Sequence, residues 1–88
     1  MKVIFRQSLV RDLKKIRAKA VRQELQAVIE QLEQTPTLYD LPNVKRLTGD
    51  GPYYRIRVGD YRLGLIVEDD TVTVVRFLHR RDIYRYFP

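Results

Sequence analysis

The chain has 88 residues, no cysteine, one histidine and a formal net charge of +6 at neutral pH. This length predicts a single domain over 1–88, and the lack of cysteine excludes a disulfide framework and a cysteine-ligated zinc site. The sequence has neither an apolar run of about 18 residues nor the apolar segment of a signal peptide. We therefore expect a cytoplasmic globular domain with no membrane partner, metal or cofactor, and the charge favours an anionic partner.

A short strand and a helix are predicted at the start of the chain. Residues 3–5 are apolar and read as the strand. Apolar residues then recur at spacings of four and three, which marks one face of a helix, at Leu9, Leu13 and Ile16. Ser8 and Asp12 are expected near the beginning of this helix, as its N-cap and as an acidic residue of the first turn.

A second helix follows, with apolar residues spaced by four, three and four at Val21, Leu25, Val28 and Leu32. This helix should end near Thr35, because the residue before Pro36 is pushed out of helical geometry. Residues 36–51 contain two prolines and two glycines, and this composition predicts an irregular connection.

Three antiparallel strands are predicted after the connection. Residues 53–58 alternate between apolar and polar side chains, and Gly59-Asp60 fits a two-residue hairpin loop with glycine first. Strands at 61–67 and 72–78 follow, separated by a turn near 69–70. The sequence therefore predicts an α+β fold: an N-terminal strand, two helices on one sheet face, a three-stranded meander and a short C-terminal helix or tail.

The register of the meander decides which side chains share a face. A two-residue loop at Gly59-Asp60 places Arg57 opposite Arg62. For the second turn we chose a three-residue loop, which pairs Glu68 with Val72, Leu65 with Val75 and Leu63 with Phe77. A two-residue loop at Asp69-Asp70 would instead pair Leu63 with Arg76 and turn this arginine into the core.

With this register, one sheet face is apolar and the other is basic. The helices are expected to cover the apolar face, formed by Ile56, Val58, Tyr61, Leu63, Leu65, Val75 and Phe77. The opposite face presents arginines with no acid at the paired positions: Arg55, Arg57, Arg62 and Arg76, with Arg80 just past the last strand. Either the arginine stems simply cover a solvated sheet face, or the guanidinium groups bind phosphate. We favour phosphate, because like charges directly opposed on a sheet are destabilising.

Three segments of the chain resemble the RelE/ParE superfamily of bacterial and archaeal type II toxins: 44–49 (VKRLTG), 54–63 (YRIRVGDYRL) and 77–84 (FLHRRDIY). RelE-like members cut messenger RNA in the ribosomal A site, whereas ParE-like members act on DNA gyrase and are not nucleases. The resemblance implies five catalytic residues: Arg55, Arg57, Arg62, Arg80 and Tyr84. An alternative alignment with the family replaces Arg80 by Arg81, and another replaces Tyr84 by Tyr86. Well-known members have lysines at the positions of Arg55 and Arg57.

Cleavage of RNA without a metal requires the 2′-hydroxyl to attack the adjacent phosphate. Guanidinium groups are suited to stabilise the charge that grows on the phosphoryl oxygens, but arginine is a poor general base. His79 is the one side chain that ordinarily titrates near neutrality, although strand alternation from Phe77 places it on the helix-covered face. Tyr84 is expected either to donate a proton, to stack on a base, or to anchor the C-terminal tail.

The sequence thus favours a ribosome-dependent, metal-independent mRNA endoribonuclease over a gyrase inhibitor or a basic RNA-binding module. Further RNA contacts are expected from Lys45, Arg46, Arg76 and Arg81. The resemblance also implies an adjacently encoded, acidic RelB-like antitoxin that forms a hetero-oligomer with the toxin. An acidic partner fits a basic sheet face on electrostatic grounds.

Overall fold

The computed structural model describes residues 1–47, 49 and 51–88. The elements are strand β1 (Lys2–Phe5), helices α1 (Gln7–Lys14) and α2 (Lys19–Gln34), a 3-10 turn (Leu38–Asp40), strands β2 (Val44–Arg46), β3 (Tyr53–Val58), β4 (Tyr61–Glu68) and β5 (Thr71–His79), and helix α3 (Ile83–Tyr86). The strands form one open sheet in the order β1-β5-β4-β3-β2. The β1–β5 pair is parallel and the other pairs are antiparallel.

The expected α+β fold is confirmed, and its core lies between the sheet and the two long helices. Side chains of α1 and α2 pack against β3, β4 and β5, and the core residues include Leu9, Leu25, Leu32, Ile56, Leu63, Leu65, Val74 and Phe77. The amino group of Met1 donates to the carbonyl oxygens of Leu32 and Thr35 at 3.1 and 2.8 Å. This positive group fits the negative end of the α2 dipole and fixes the start of β1.

The first half of the chain departs from the prediction at two places. The expected connection over 36–51 contains the edge strand β2, in which Val44 pairs with Ile56; three residues are too few to show a strand period. The α1 N-cap is Arg6, with no side-chain capping bond, so the roles expected for Ser8 and Asp12 are wrong. Thr48, part of the first segment resembling the superfamily, lies outside the described residues.

The two turns of the meander have different outcomes. Arg57 pairs with Arg62, as the Gly59-Asp60 loop predicts. At the second turn, Glu68 pairs with Thr71 rather than Val72, so the loop has two residues and the expected three-residue loop is wrong.

A β-bulge explains why the short turn does not put Arg76 in the core. Leu65 pairs with Val74, but Gly64 pairs with Arg76, so Val75 is the extra residue on β5. The bulge restores the predicted pairing around Gly64. It also moves Val75 from the expected helix-covered face to a second apolar cluster.

This second cluster lies where the C-terminal segment packs on the sheet. It contains buried Leu47, Ile83 and Phe87, with Tyr53 and Val75 against them. The Phe87 ring occupies the space above Gly64, where an added Cβ would lie 2.8 Å from the ring. Gly64 therefore makes room for the tail on the face opposite the two long helices. No helix in the described part of the chain is long and apolar enough to cross a membrane.

Candidate functional site

Four arginines lie together beside the β3–β4 turn, and we call Arg55, Arg57, Arg62 and Arg80 the arginine cluster. Arg55 and Arg57 are two residues apart on β3, so they share a sheet face, and Arg62 lies opposite Arg57 on β4. The backbone amide of Arg80 donates to the carbonyl oxygen of Asp60 at 2.8 Å, which holds the residue after β5 against this turn. The β3–β4 hairpin and the segment directly after β5 therefore bring the four arginines together.

Arg62 is the electrostatic centre of the arginine cluster. Its pKa is lowered, first by partial burial and then by the positive charges of Arg55, Arg57 and Arg80, while the Tyr84 hydroxyl acts in the opposite direction. Its Nη1 donates to the carbonyl oxygens of Gly59 and Tyr61, both at 2.9 Å. These bonds keep the guanidinium within the cluster despite the repulsion, and an anion bound there would relieve that repulsion.

The cluster has no carboxylate partner among the described residues. Within that part of the chain the one salt bridge joins Asp12 to Arg76, which is outside the cluster. The Nε of Arg55 is buried with no acceptor in the described residues, and a buried, unpaired donor is unfavourable. The positive charge of the cluster is therefore not neutralised by a carboxylate within the described residues.

Asn43, which sequence reasoning missed, supplies acceptors to two members of the cluster. Its carbonyl oxygen accepts from the Arg57 amide at 3.1 Å and from Arg55 Nη1 at 3.0 Å. Its side-chain Oδ1 accepts from Arg57 Nη2 at 3.2 Å. The sequence signal was present in the Pro42-Asn43 pair, which suits the centre of a tight turn directly before β2.

Tyr84 lies beside the arginine cluster, on α3. Its ring is 56% exposed, and its hydroxyl is close enough to influence the pKa of Arg62. The neighbouring Ile83 is fully buried and Phe87 is packed over Gly64. The tail therefore places an accessible phenol next to the guanidinium groups.

His79 lies on the other side of the sheet, as strand alternation predicts. It pairs with Tyr61 across β4 and β5, and the two rings meet edge to face at 5.6 Å. The Nδ1 of His79 accepts from the amide and the Nε of Arg81, at 3.2 and 3.3 Å. Both residues are thus engaged with each other, and no described contact joins His79 to the cluster.

Arg76 pairs with Gly64, as expected, but its guanidinium is already bound within the protein. Nε and Nη2 donate to the Asp12 carboxylate at 2.8 and 3.0 Å, and the guanidinium carbon lies 5.4 Å from the centre of the Tyr86 ring. The hydrogen bond to Asp12 raises the pKa of Arg76. The Arg76 guanidinium is thus engaged within the protein, and its contact with RNA stays a prediction.

The two basic residues of β2 face in opposite directions. Lys45 pairs with Arg55 and so shares the face of the arginine cluster, whereas Arg46 pairs with Tyr54, a residue that packs against the helix-covered core. The Arg46 guanidinium carbon lies 5.7 Å from the centre of the Tyr54 ring, and its Nε donates to the Gly51 carbonyl at 3.1 Å. Of the two, only Lys45 extends the basic surface.

Asp12 is a second residue that sequence reasoning misread. It lies three residues after Leu9 and four before Ile16, in phase with the apolar face of α1, and it is 4% exposed. Its carboxylate also accepts the backbone amide of Phe77 at 2.9 Å. Beyond Val74, β5 has no β1 partner, so the Asp12 carboxylate provides a hydrogen-bond acceptor for the Phe77 amide at the edge of the sheet. An acid in the apolar phase of a helix was the available signal for a buried partner.

The fold defines the class of protein, and comparison with known proteins agrees. Residues 3–84 match the family described as "ParE toxin of type II toxin-antitoxin system, parDE". The chain therefore belongs to the RelE/ParE superfamily of type II toxins, and the resemblance seen in the sequence is confirmed.

Similarity to individual proteins identifies the RelE type within this superfamily. Toxin RelE3 of Methanocaldococcus jannaschii is 43% identical over 89 residues, covering 100% of both chains. Among solved structures, a chain of a RelB–RelE antitoxin–toxin complex from Methanococcus jannaschii is similar to this protein. The TM-score is 0.81 and the sequence identity 38%, and the match covers 97% of this chain and 99% of that one. An archaeal RelE–RelB complex from Pyrococcus horikoshii OT3 matches with a TM-score of 0.73 and 26% identity, over 90% and 93% of the two chains. The chain is a type II toxin of the RelE type.

Proposed function

We propose that this toxin is a metal-independent endoribonuclease that cuts messenger RNA in the A site of the ribosome. The observation that carries the proposal is the arginine cluster around Arg62, which has no carboxylate partner within the described part of the chain and has Tyr84 beside it. The whole of 1–88 acts as one toxin domain in this proposal. Similarity to RelE3 over the full chain supports the assignment.

The reaction begins with attack of the ribose 2′-hydroxyl on the adjacent phosphorus. The bond to the 5′-oxygen of the next nucleotide breaks, and the products are a 2′,3′-cyclic phosphate and a 5′-hydroxyl. Negative charge on the phosphoryl oxygens increases in the transition state, and guanidinium groups fixed around it stabilise that charge. Arg55, Arg57 and Arg62 are placed for this task, because they converge on one face of the sheet.

Tyr84 rather than His79 is assigned as the proton donor. The 2′-hydroxyl loses its proton to water and the leaving 5′-oxygen takes a proton from the Tyr84 hydroxyl. Tyr84 lies next to Arg62, whereas His79 lies on the opposite face and accepts hydrogen bonds from Arg81. The exposed phenol is also positioned to stack on a base of the substrate.

In this proposal the ribosome orients the substrate. Arg57 and Arg80 are exposed at the surface of the protein, where a free RNA strand could approach in many orientations. Holding the messenger RNA in a fixed path would convert a diffusional encounter into an oriented one, and orientation makes a large contribution to rate. The positive charge of the chain favours binding to ribosomal RNA as well, and the ribosomal target places the activity in the cytoplasm.

Primer extension on messenger RNA tests the proposal. Ribosomes stalled on a defined message are incubated with wild-type toxin, with Arg57→Ala and with Arg17→Ala, which removes an exposed arginine of the α1–α2 connection that is not a member of the cluster. We expect cuts within the A-site codon for wild type and Arg17→Ala, and loss of cutting for Arg57→Ala. Intact message with wild-type toxin would refute the nuclease, and full activity of Arg57→Ala would show that the cluster is not its site.

The alternative function is inhibition of DNA gyrase, which the match to the ParE family favours. In that case the arginine cluster would bind a protein or DNA surface and no bond in RNA would break. DNA breaks after toxin induction, with messenger RNA intact, would support this alternative.

The proposed partner is an acidic, RelB-like antitoxin encoded next to the toxin. The similar RelE chains are found in complexes with RelB, and two features of this chain suit such a partner. The arginine cluster would attract an acidic segment, and the edge strand β1 exposes Ile4 and Phe5 by 42% and 48%. Co-expression with the neighbouring frame should yield a non-toxic hetero-oligomer, and a toxin that is harmless alone would argue against the pairing.

A further inference from the structure

The turn at Pro42-Asn43 lies next to two arginines of the cluster. Asn43 has a φ of 65°, a left-handed conformation that asparagine adopts more readily than most non-glycine residues. In this conformation the carbonyl oxygen of Asn43 points at β3, where the Arg57 amide and Arg55 Nη1 donate to it. The side-chain oxygen faces the same way and accepts from Arg57 Nη2. One residue thus provides a separate acceptor for each guanidinium group.

Both acceptors are uncharged, and this suits a phosphate-binding site. Arg55 and Arg57 repel each other, and a free arginine side chain samples many rotamers, so neither would hold a fixed position unaided. An amide oxygen restricts a guanidinium group without cancelling its charge. A carboxylate at the same place would form an ion pair and would also repel the phosphate.

We infer that Asn43 is a positioning residue, which holds Arg55 through its main chain and Arg57 through its side chain in the orientation that receives the phosphate. The inference rests on the proposed ribonuclease function. The inference is testable because the two arginines are held by different parts of Asn43. A change of side chain at position 43 affects only the hydrogen bond to the Arg57 guanidinium.

Two variants separate geometry from charge. Asn43→Gly keeps the left-handed turn and its carbonyl, since glycine adopts positive φ freely, and removes only the acceptor for Arg57. Asn43→Asp keeps the shape of the side chain and adds a negative charge. Asp69→Gly is the matched control, because Asp69 also has a positive φ, of 55°, but lies in the β4–β5 turn outside the cluster.

The activity test is single-turnover cleavage on programmed ribosomes. We expect Asn43→Gly to slow cleavage by about tenfold to a hundredfold, the range for loss of one hydrogen bond to a charged group, with little change in half-saturating toxin concentration. Asn43→Asp should cleave more slowly still, and Asp69→Gly should match wild type. In an Arg57→Ala background, Asn43→Gly should cause no further loss, because the two changes act on one interaction. Additive losses, or wild-type cleavage by Asn43→Gly, would overturn the inference.

A second readout does not depend on activity. Nitrogen-15 relaxation of the arginine Nε–H groups reports their order on the free toxin. Asn43→Gly should mobilise Arg57 and leave Arg55 ordered, while Asn43→Asp should leave both ordered. If wild-type toxin does not cut RNA but these changes in order are seen, the proposed function fails and the positioning role stands. If Arg57 keeps its order in Asn43→Gly, the positioning role fails whatever the activity.

Discussion

Asp12 and Arg76 lie 64 residues apart in the sequence, and in the fold the carboxylate of Asp12 accepts two hydrogen bonds from the Arg76 guanidinium. The same carboxylate accepts the Phe77 amide. Ser8 of the same helix donates to the Val75 carbonyl oxygen at 2.6 Å, so two side chains of α1 close the part of the β5 edge that β1 does not reach. These contacts tie α1 to the sheet, although its N-terminus has no side-chain cap.

Asp12→Ala should therefore destabilise the fold. Removing one partner of a buried ion pair leaves the charge of the other uncompensated. Because the Arg76 side chain is 25% exposed and water partly screens its charge, we expect a loss of about 2–3 kcal/mol in the free energy of unfolding, below the range for a fully buried pair. Urea denaturation measures this loss. Asp40→Ala, at an exposed carboxylate, should change stability by less than about 0.5 kcal/mol. Equal effects of the two substitutions would contradict the structural role of Asp12.

Gly64→Ala should displace the C-terminal tail. The new methyl group would lie within 2.8 Å of the Phe87 ring, so we expect a loss of about 1–3 kcal/mol from overpacking. Phe87→Ala should also destabilise, because this ring is 3% exposed. The double variant should lose less than the sum of the two, since the clash then disappears. Additive losses in urea denaturation would mean that Phe87 is not the obstacle.

Arg57→Ala should leave the stability of the toxin unchanged or raise it slightly. Arg57 lies directly opposite Arg62, and removing one of two like charges on a sheet relieves repulsion. Thermal unfolding of the isolated toxin at low salt measures the effect, with Arg17→Ala as the control. A marked fall in melting temperature would indicate that Arg57 has a structural role and that its loss of activity cannot be attributed to chemistry.

Inorganic phosphate should stabilise wild-type toxin by binding to the arginine cluster. The pKa of Arg62 is lowered by its burial and by its three positive neighbours, so a bound anion lowers the free energy of the folded state. The melting temperature should rise with phosphate concentration, more than with chloride at equal ionic strength. Arg57→Ala should show a smaller rise, and an identical rise in both proteins would point to a general salt effect.

Tyr84→Phe should separate proton transfer from stacking. The ring remains but the hydroxyl is lost, so we expect cleavage to slow by about a hundredfold, the lower end for general acid–base catalysis. Tyr84→Ala should be slower again if the ring also stacks on a base. His79→Gln should have little effect on the pH dependence of cleavage. A flat pH profile in His79→Gln, with Tyr84→Phe fully active, would transfer the proton-transfer role to His79.

The sequence was sufficient to predict the arginine cluster because the rule that governs it is local. A glycine–aspartate pair between alternating segments sets a two-residue hairpin, and this turn alone places Arg57 opposite Arg62. The second turn was harder, since the bulge at Val75 allows a short loop and an outward Arg76 to coexist. A bulge adds one residue without any distinctive composition, so the pattern of apolar residues could not reveal it.

The residues that support the cluster were missed because their partners are distant in the chain. The Pro42-Asn43 pair indicates a turn but not its partner, and the role of Asn43 depends on the pairing of β2 with β3. From the sequence, Asp12 was interpreted as an acidic residue in the first turn of a helix. Its actual partner, the Phe77 amide, is available only because the pairing of β1 with β5 ends at Val74. Such roles follow from tertiary contacts, which override local preferences.

The first strand of the chain is also among the last to find its partner. β1 pairs with β5, with Lys2 opposite Thr71, and the Phe87 ring that anchors the tail packs on the sheet only when the last residues are present. Protein synthesis proceeds from the N-terminus, so β1 and the two long helices are made before β5, the strand that joins β1 to the rest of the sheet. The arginine cluster draws on β3, β4 and the residue after β5, so it forms only after most of the chain has been synthesised.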